Sequence, residues 1–431
     1  MEAKTKNSKI IFDPLYGFVH ITALEWEIIH TPFYQRLRWI KQIGFSCYTF
    51  PGAEHSRFGH SIGVMHNAHK IAQSIGKAAS DEDLFDDKVQ NKRKTWHQNL
   101  RLAALLHDLG TFCFSHTTEM AYIRFGETTK SKNSKGHPDD HEHLGSWIIK
   151  NTNFKNGITY ILKNRGINPQ TISDLVKGIA DDPLANQILH SEIDCDRMDY
   201  LLRDSYFCGV SYGNYDLDWL LDNLEICING ADATLGISER AVVTFDDFLL
   251  SRYHMFIMVY FHYRAVCLEQ LLYKYFNSSA NEYTIPGDIE KYLDHDDHYL
   301  MKILRKSKNS YAKNLVSNKI PPKIYESFNK TQTQKLDSIQ SFLKEEKIDY
   351  IKCSSSSRLS KYYKRNSANI RLPSLQVVRK TYKSSNISYS NIEDATDLFQ
   401  KFSESHAITR LHCEIESLNK GQKDHLSKLL Q

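Results

Sequence analysis

Apolar residues recur at helical spacing through most of the first 300 positions, a period that gathers them on one face of an α-helix. After an extended start from Lys9 to Thr22, with Asp13-Pro14 and Gly17 as turn signals, residues 23–45 read as helix. Residues 58–78 give another, with Ile62, Met65, His69 and Ala72 on one side. Residues 96–109 (WHQNLRLAALLHDL) have a strongly apolar face, and Gly110 stops them. Helical patterns resume at 141–150, 171–179, 184–206 and 246–276, the last apolar around much of its circumference and therefore expected to be central. A little strand is expected near Ala241–Phe245. The polar stretch 126–140 (GETTKSKNSKGHPDD) reads as a loop beside a candidate site segment. The predicted class is all-α with minor β.

The pattern changes near residue 300. Lys and Arg outnumber acids several-fold between Met301 and Lys383, and a serine run, Ser354 to Ser357, interrupts the helical spacing. Two units follow: a helical core over 1–300 and a basic, mixed or helical C-terminal region over 301–431. A length of 431 residues suits two or three units.

Composition narrows the class only a little. Hydrophobic residues at 41% and charged ones at 25% are those of a globular chain with a sizeable core. A net charge of +4 suits an anionic substrate without demanding nucleic acid. The N-terminal residues lack an apolar run, and no stretch approaches the ~20 apolar residues that span a bilayer. Cys47, Cys113, Cys195, Cys208, Cys227, Cys267, Cys353 and Cys413 are scattered without a CxxC pair, which argues against a zinc ribbon or a disulfide framework. A reducing cytoplasm is expected, with no membrane partner.

The candidate chemistry begins at His107-Asp108, which close an apolar helix. Adjacent helical residues point about 100° apart, so both can grip one ion only from a helix end or packed corner. His60 opens a helix 47 residues earlier, and Asp196 lies in SEIDCDRMDYLLRD; both are embedded in apolar periodicity, where a charge needs a partner. Imidazole plus carboxylate suits Fe, Mn, Co, Ni or Zn better than calcium. Two imidazoles and two carboxylates leave two octahedral positions for water and a phosphate oxygen, the open site of metal-assisted hydrolysis. Each residue alone fits a plainer role, His60 as a helix cap and Asp196 as an N-cap or ion-pair partner. The four in this order do not.

The order H…HD…D resembles the HD-domain phosphohydrolases. The surrounding runs TPFYQRLRWIKQIGFSCYTFPGAEHSRFGHSIGV, ALLHDLGTFCFSH, HEHLG and DCDRMDYLLRDSYFCGV are similar to deoxynucleoside triphosphate triphosphohydrolases. The likeness covers residues from about 10 to about 310. It implies an HD-type helical core and a divalent ion (Mn, Fe, Mg, Ni, Co or Zn) on His60, His107, Asp108 and Asp196. It also implies removal of the whole triphosphate from a deoxynucleoside. By the same resemblance Arg57, Arg197 and Arg252 grip phosphates, as planar guanidinium forks do well; a mammalian member has lysine at Arg197. Gln42 and Asp204 bond a 3′-hydroxyl, while Tyr200 and Tyr260 select the sugar, Tyr260 standing where a ribose 2′-hydroxyl would intrude. His141 is placed as general acid or water-orienting group, with Glu119 setting its tautomer and His116 one helical turn from Glu119. A homo-oligomer and a nucleotide activator are further implications. His262 is followed by Tyr263, where a mammalian member has a lysine for its activator.

Thr111 departs from the pattern. The family has HD-[IL]-G-H-G-P-F-S-H where this chain has HDLGTFCFSH, so an imidazole near the reacting phosphate is missing and Phe112 and Cys113 replace the glycine and proline of the turn. Losing such a group can cost ~10²–10⁴ in rate. Slower catalysis, a changed substrate pose, and reliance on His141 and the metal alone all remain open. Besides the triphosphohydrolase reading stand two others. One is a different HD phosphohydrolase (nucleotide phosphatase, phosphodiesterase or single-strand nuclease); the other is a nucleotide-sensing or nucleic-acid-binding protein with an impaired site. Tyr362, Tyr363, Lys364 and Arg365 interleave aromatics with bases, a pattern equally suited to a phosphate or a partner subunit.

Overall fold

The computed structural model describes residues 8–119, 140–229, 232–279, 281–286, 288–328, 333–357, 375–380, 387–396, 398 and 406–431. The loop expected at 126–140, except for its last residue, and Tyr362 to Arg365 lie outside the described residues. Among the described residues no helix is long and apolar enough to cross a membrane.

The core is helical, as the spacing predicts, but several long runs are divided. The run at 23–45 becomes helices Ala23–Ile29 and Pro32–Arg36 followed by short tight turns. Thr31 caps the second helix and Pro32 occupies its first turn, where a missing N–H costs nothing. The run at 184–206 is likewise two helices, Pro183–His190 and Cys195–Cys208, because Asp194 turns out to cap the second by accepting from the Arg197 N–H. The run at 246–276 is divided too. Helix Val242–Met255 continues into a wide turn over Phe256–Tyr260, with the Phe261 N–H reaching back five residues to the Phe256 carbonyl, and a new helix starts at Tyr263. The strand expected at Ala241–Phe245 is helical instead.

The strands are β1 (Lys9–Asp13), β2 (Gly17–Ile21), β3 (Leu224–Asn229), β4 (Asp232–Ser238), β5 (Lys323–Phe328), β6 (Tyr350–Ser357), β7 (Gln376–Lys380), β8 (Ile387–Asn391) and β9 (His406–Cys413). They form an antiparallel hairpin β1-β2, a sheet β3-β4-β7-β8 in which β4 and β7 run parallel, and a sheet β5-β9-β6. The serine run is thus strand β6, because period-two alternation sends Ile351, Cys353 and Ser355 to the buried side.

Helix Arg57–Ser74 packs on Lys92–Leu106 and Cys195–Cys208, with Ile62, Met65, Leu102, Leu105, Met198 and Leu201 between them. These three helices supply the metal-type residues. The sheet β5-β9-β6 is covered on one face by helices Thr333–Glu345 and Lys420–Leu430, and β6 packs on helix Tyr263–Ser278.

Candidate active site

Three helix ends converge on one point. His60 lies in the first turn of its helix, His107 caps the end of Lys92–Leu106, and Asp196 sits in the first turn of Cys195–Cys208. His60 Nε2 stands 3.1 Å from Asp196 Oδ1 and 3.6 Å from Asp108 Oδ2; His107 Nε2 is 3.5 Å from Asp108 Oδ2 and 3.8 Å from Asp196 Oδ1. Ligands about 2.1 Å from a shared ion stand about 3.0 Å apart when cis and about 4.2 Å when trans, so these separations match a common centre. Among the described residues, neither His60 Nε2 nor His107 Nε2 makes a hydrogen bond, though both are buried. Two inward-facing ring nitrogens without proton partners, beside two carboxylates, fit a divalent cation.

The other ring nitrogens are fixed. His107 Nδ1 is 2.8 Å from the Ala104 carbonyl, which sets it as the N–H. His60 Nδ1 is 2.7 Å from Asp199 Oδ2, and Asp199 in turn accepts from Arg203 Nε (2.8 Å) and Nη2 (2.9 Å). Arg203 also pairs with Asp13 at the end of β1, at 3.0 Å. Such a relay orients an imidazole ligand and raises its basicity. Gly63 permits it: a Cβ there would lie 1.9 Å from Asp199 Oδ1. Burial opposes charge on His60, but Asp196 and Asp199 outweigh it and raise its pKa to about 9. Burial also works against the Asp108 charge, and Arg57, His107 and His60 hold the carboxyl well below its ordinary range.

Beside the quartet, Glu119 joins two histidines. Its Oε1 accepts from the His141 backbone N–H at 2.8 Å and lies 2.8 Å from His141 Nδ1, while Oε2 is 2.8 Å from His116 Nδ1. Burial lowers the His141 pKa, yet the bond and charge of Glu119 overcome it and lift it to about 9. Gly110 lets the His141 helix approach, since a Cβ there would meet the His141 carbonyl at 2.2 Å and the Gly145 nitrogen at 2.3 Å.

A cavity of about 530 Å³ is lined by Gln42, Arg57, His107, Asp108, His116, His141, Asp196, Tyr200, Asp204 and Tyr260 among others. Asp204 accepts from Tyr260 Oη at 2.7 Å, and its other oxygen is 2.7 Å from His55 Nε2. Arg57 reaches Asp108 at 2.6 Å, Ser115 at 3.0 Å and the Gln42 carbonyl at 3.2 Å. Arg197 and Arg252 are not on the lining. Arg197 pairs with Asp194 at 2.5 Å and also donates to the Ser191 carbonyl; Arg252 pairs with Glu192 at 2.9 Å. His60 and Glu119 act from behind the wall.

Thr111 is 2% exposed and its hydroxyl makes no hydrogen bond. Its carbonyl accepts from Arg36 and Tyr292, and the Phe114 N–H donates to Asp297 at 2.5 Å. These bonds hold the turn after the His-Asp pair, in which Phe112 and Cys113 stand for the glycine and proline and the next two residues, Phe114 and Ser115, take positive φ (53° and 57°). Sequence reasoning missed Asp199, His55 and the Ser354 and Ser355 that line the cavity from β6. Asp199 had a signal, standing three residues after Asp196 in a helix, a same-face spacing.

A family model described as the HD domain matches residues 57–204. The chain is 33% identical over 260 residues to the uncharacterized protein YwfO of Bacillus subtilis, covering 60% of this chain and 53% of that protein. It is 24% identical over 333 residues to the human deoxynucleoside triphosphate triphosphohydrolase SAMHD1, covering 69% and 50%. The chain spans about half the length of these curated relatives. A crystal structure of a hypothetical protein from Aquifex aeolicus shares the fold, with a TM-score of 0.75 at 24% identity over 98% of this chain and 100% of that one.

Proposed function

We propose that the chain, whose residues 57–204 match the HD-domain family and which is similar to a deoxynucleoside triphosphate triphosphohydrolase, hydrolyses deoxynucleoside triphosphates to the deoxynucleoside and triphosphate. One observation carries the reading. His107, Asp108, Asp196, His141 and the residues assigned to the sugar, Gln42, Tyr200, Asp204 and Tyr260, line a single cavity, with His60 and Glu119 behind its wall.

His60, His107, Asp108 and Asp196 would hold the divalent ion. When bound, such an ion polarises a phosphoryl oxygen and acidifies water. His141, protonated by its bond to Glu119, holds at Nε2 the proton that the leaving 5′-oxygen needs. Arg57 keeps Asp108 ionised and brings a guanidinium to the cavity lining, where its positive charge favours an anion. Tyr260, fixed by Asp204, fills the space beside the sugar so that a 2′-hydroxyl would be both crowded and unpaired.

A second reading has its own support. Arg197 and Arg252 sit in buried acid pairs away from the cavity lining, so fewer cations face a polyphosphate than the family pattern implies. That favours an HD phosphohydrolase for a substrate with fewer phosphates. Incubating the protein with each dNTP and rNTP plus Mn²⁺ or Mg²⁺ separates the two. The proposal expects deoxynucleoside and intact triphosphate from dNTPs; release of inorganic phosphate or diphosphate overturns it.

A further inference from the structure

Away from the His-Asp quartet, a second group of metal-ligating side chains comes together where the C-terminal sheet meets the core. Cys267 lies in helix Tyr263–Ser278, Cys353 in β6 and His412 in β9, and their ligand atoms all fall within 4.8 Å of one another. They are 0%, 1% and 0% exposed. The positions follow from register: Ile351 pairs with His412 and Cys353 with Arg410, so Cys353 and His412 are diagonal neighbours on the sheet face that meets the helix.

His412 is the informative member. Its Nδ1 lies 2.9 Å from the Pro321 carbonyl, which assigns Nδ1 as the N–H and leaves the lone pair on Nε2. That Nε2 is buried and, among the described residues, makes no hydrogen bond of ordinary geometry, though it acts on the Cys353 thiol. A carbonyl fixing one ring nitrogen while the other faces two thiols is the arrangement that orients a ligating imidazole.

We propose that Cys267, Cys353 and His412 form a second metal site, for a thiophilic divalent ion of the zinc type. Around such an ion, with Zn–S near 2.3 Å and Zn–N near 2.0–2.1 Å, ligand atoms stand about 3.6–3.8 Å apart, within reach of the observed grouping. Charge selects the ion. The site lies in an apolar cluster with Leu268, Leu271, Ile351 and Phe45, where net charge is costly. Two thiolates and a neutral imidazole cancel a divalent ion, whereas a monovalent one would leave a buried negative charge. Three protein ligands leave a tetrahedral ion one further position.

The site would fasten the C-terminal sheet to the cavity wall. Helix Tyr263–Ser278 lines the cavity through Ala265, Val266 and Glu269, and β6 lines it through Ser354 and Ser355. Because the ligands come from three separate elements, binding the ion would favour the arrangement in which sheet and helix are docked.

Cobalt distinguishes this site from the quartet, which contains no sulfur. Full-length protein, its His107→Ala variant, and the Cys353→Ser and Cys267→Ala variants would be treated with chelator, titrated with Co²⁺ and followed in the near-ultraviolet, with circular dichroism as the check on folding. The proposal expects a sulfur-to-cobalt charge-transfer band saturating at one ion per chain in His107→Ala, and the same band amplitude in the wild type, where the quartet takes a second, sulfur-free cobalt. It expects the band to be displaced by Zn²⁺ and lost from whichever cysteine variant is folded. The absence of a band in wild-type protein, an undiminished band in a folded cysteine variant, or a Cys267–Cys353 disulfide in non-reducing peptide maps would overturn it.

Discussion

At the residue scale, His141 and Glu119 give the sharpest expectation. For an imidazole to act as the acid it must be protonated, and Glu119 raises the His141 pKa to about 9, so turnover should hold through neutral pH and fall as pH rises through about 9. Glu119→Gln removes the charge. The basic limb of kcat/KM against pH should then move down by more than one unit toward the ordinary imidazole value of about 6.5; a limb that stays in place counts against the role. His141→Gln should lower kcat by ~10²–10⁴. Tyr260→Ala should raise the rNTP-to-dNTP ratio of kcat/KM by about 10-fold or more, since the room denied to a 2′-hydroxyl would open. An unchanged ratio would remove Tyr260 from sugar selection. The quartet was legible because His60, His107, Asp108 and Asp196 place polar groups among apolar repeats. His55 was not, because its partner Asp204 is 149 residues away and nothing local marks it.

At the scale of elements, two sets of polar groups in the core helices bear on stability. Arg101 on Lys92–Leu106 makes a two-pronged pair with Glu25, at 2.7 and 2.8 Å, and donates to the His20 carbonyl in β2. Glu25→Ala would leave that guanidinium buried and unpaired, at a cost of about 3–5 kcal/mol in chemical denaturation; a loss below about 1 kcal/mol would mean the pair is replaceable. His66 and His97 are the second case. Burial, with Lys70 or Arg101 nearby, depresses each to about 3. Between that value and about 6.5 the unfolded chain binds protons that the folded one refuses, so their contribution is full above pH 6.5 and is lost as pH falls toward 3. Thermal midpoints should drop over that window, and less steeply in His97→Gln. The core helices followed from spacing, but the strands and the breaks at Thr31-Pro32, Asp194 and Phe261 did not. Capping and a wide turn interrupt periodicity without altering which residues are apolar.

On the scale of the whole molecule, the C-terminal region is tied to the core at several points. Strand β7 extends the β3-β4 hairpin in parallel, and Arg410 of β9 donates to the Phe261 carbonyl at 2.7 Å, just after Tyr260. Ser354 and Ser355 complete the cavity wall. Basic composition described this region's surface but carried no trace of those contacts, since parallel pairing and long-range register leave no local period. The quartet remains the centre of the account, and metal content measured together with turnover tests it most directly. His107→Ala should lose one bound ion per chain relative to wild type and lose dNTP hydrolysis with it. A variant that keeps its full metal complement, or that keeps wild-type turnover, would contradict the assignment of His60, His107, Asp108 and Asp196 as the metal centre.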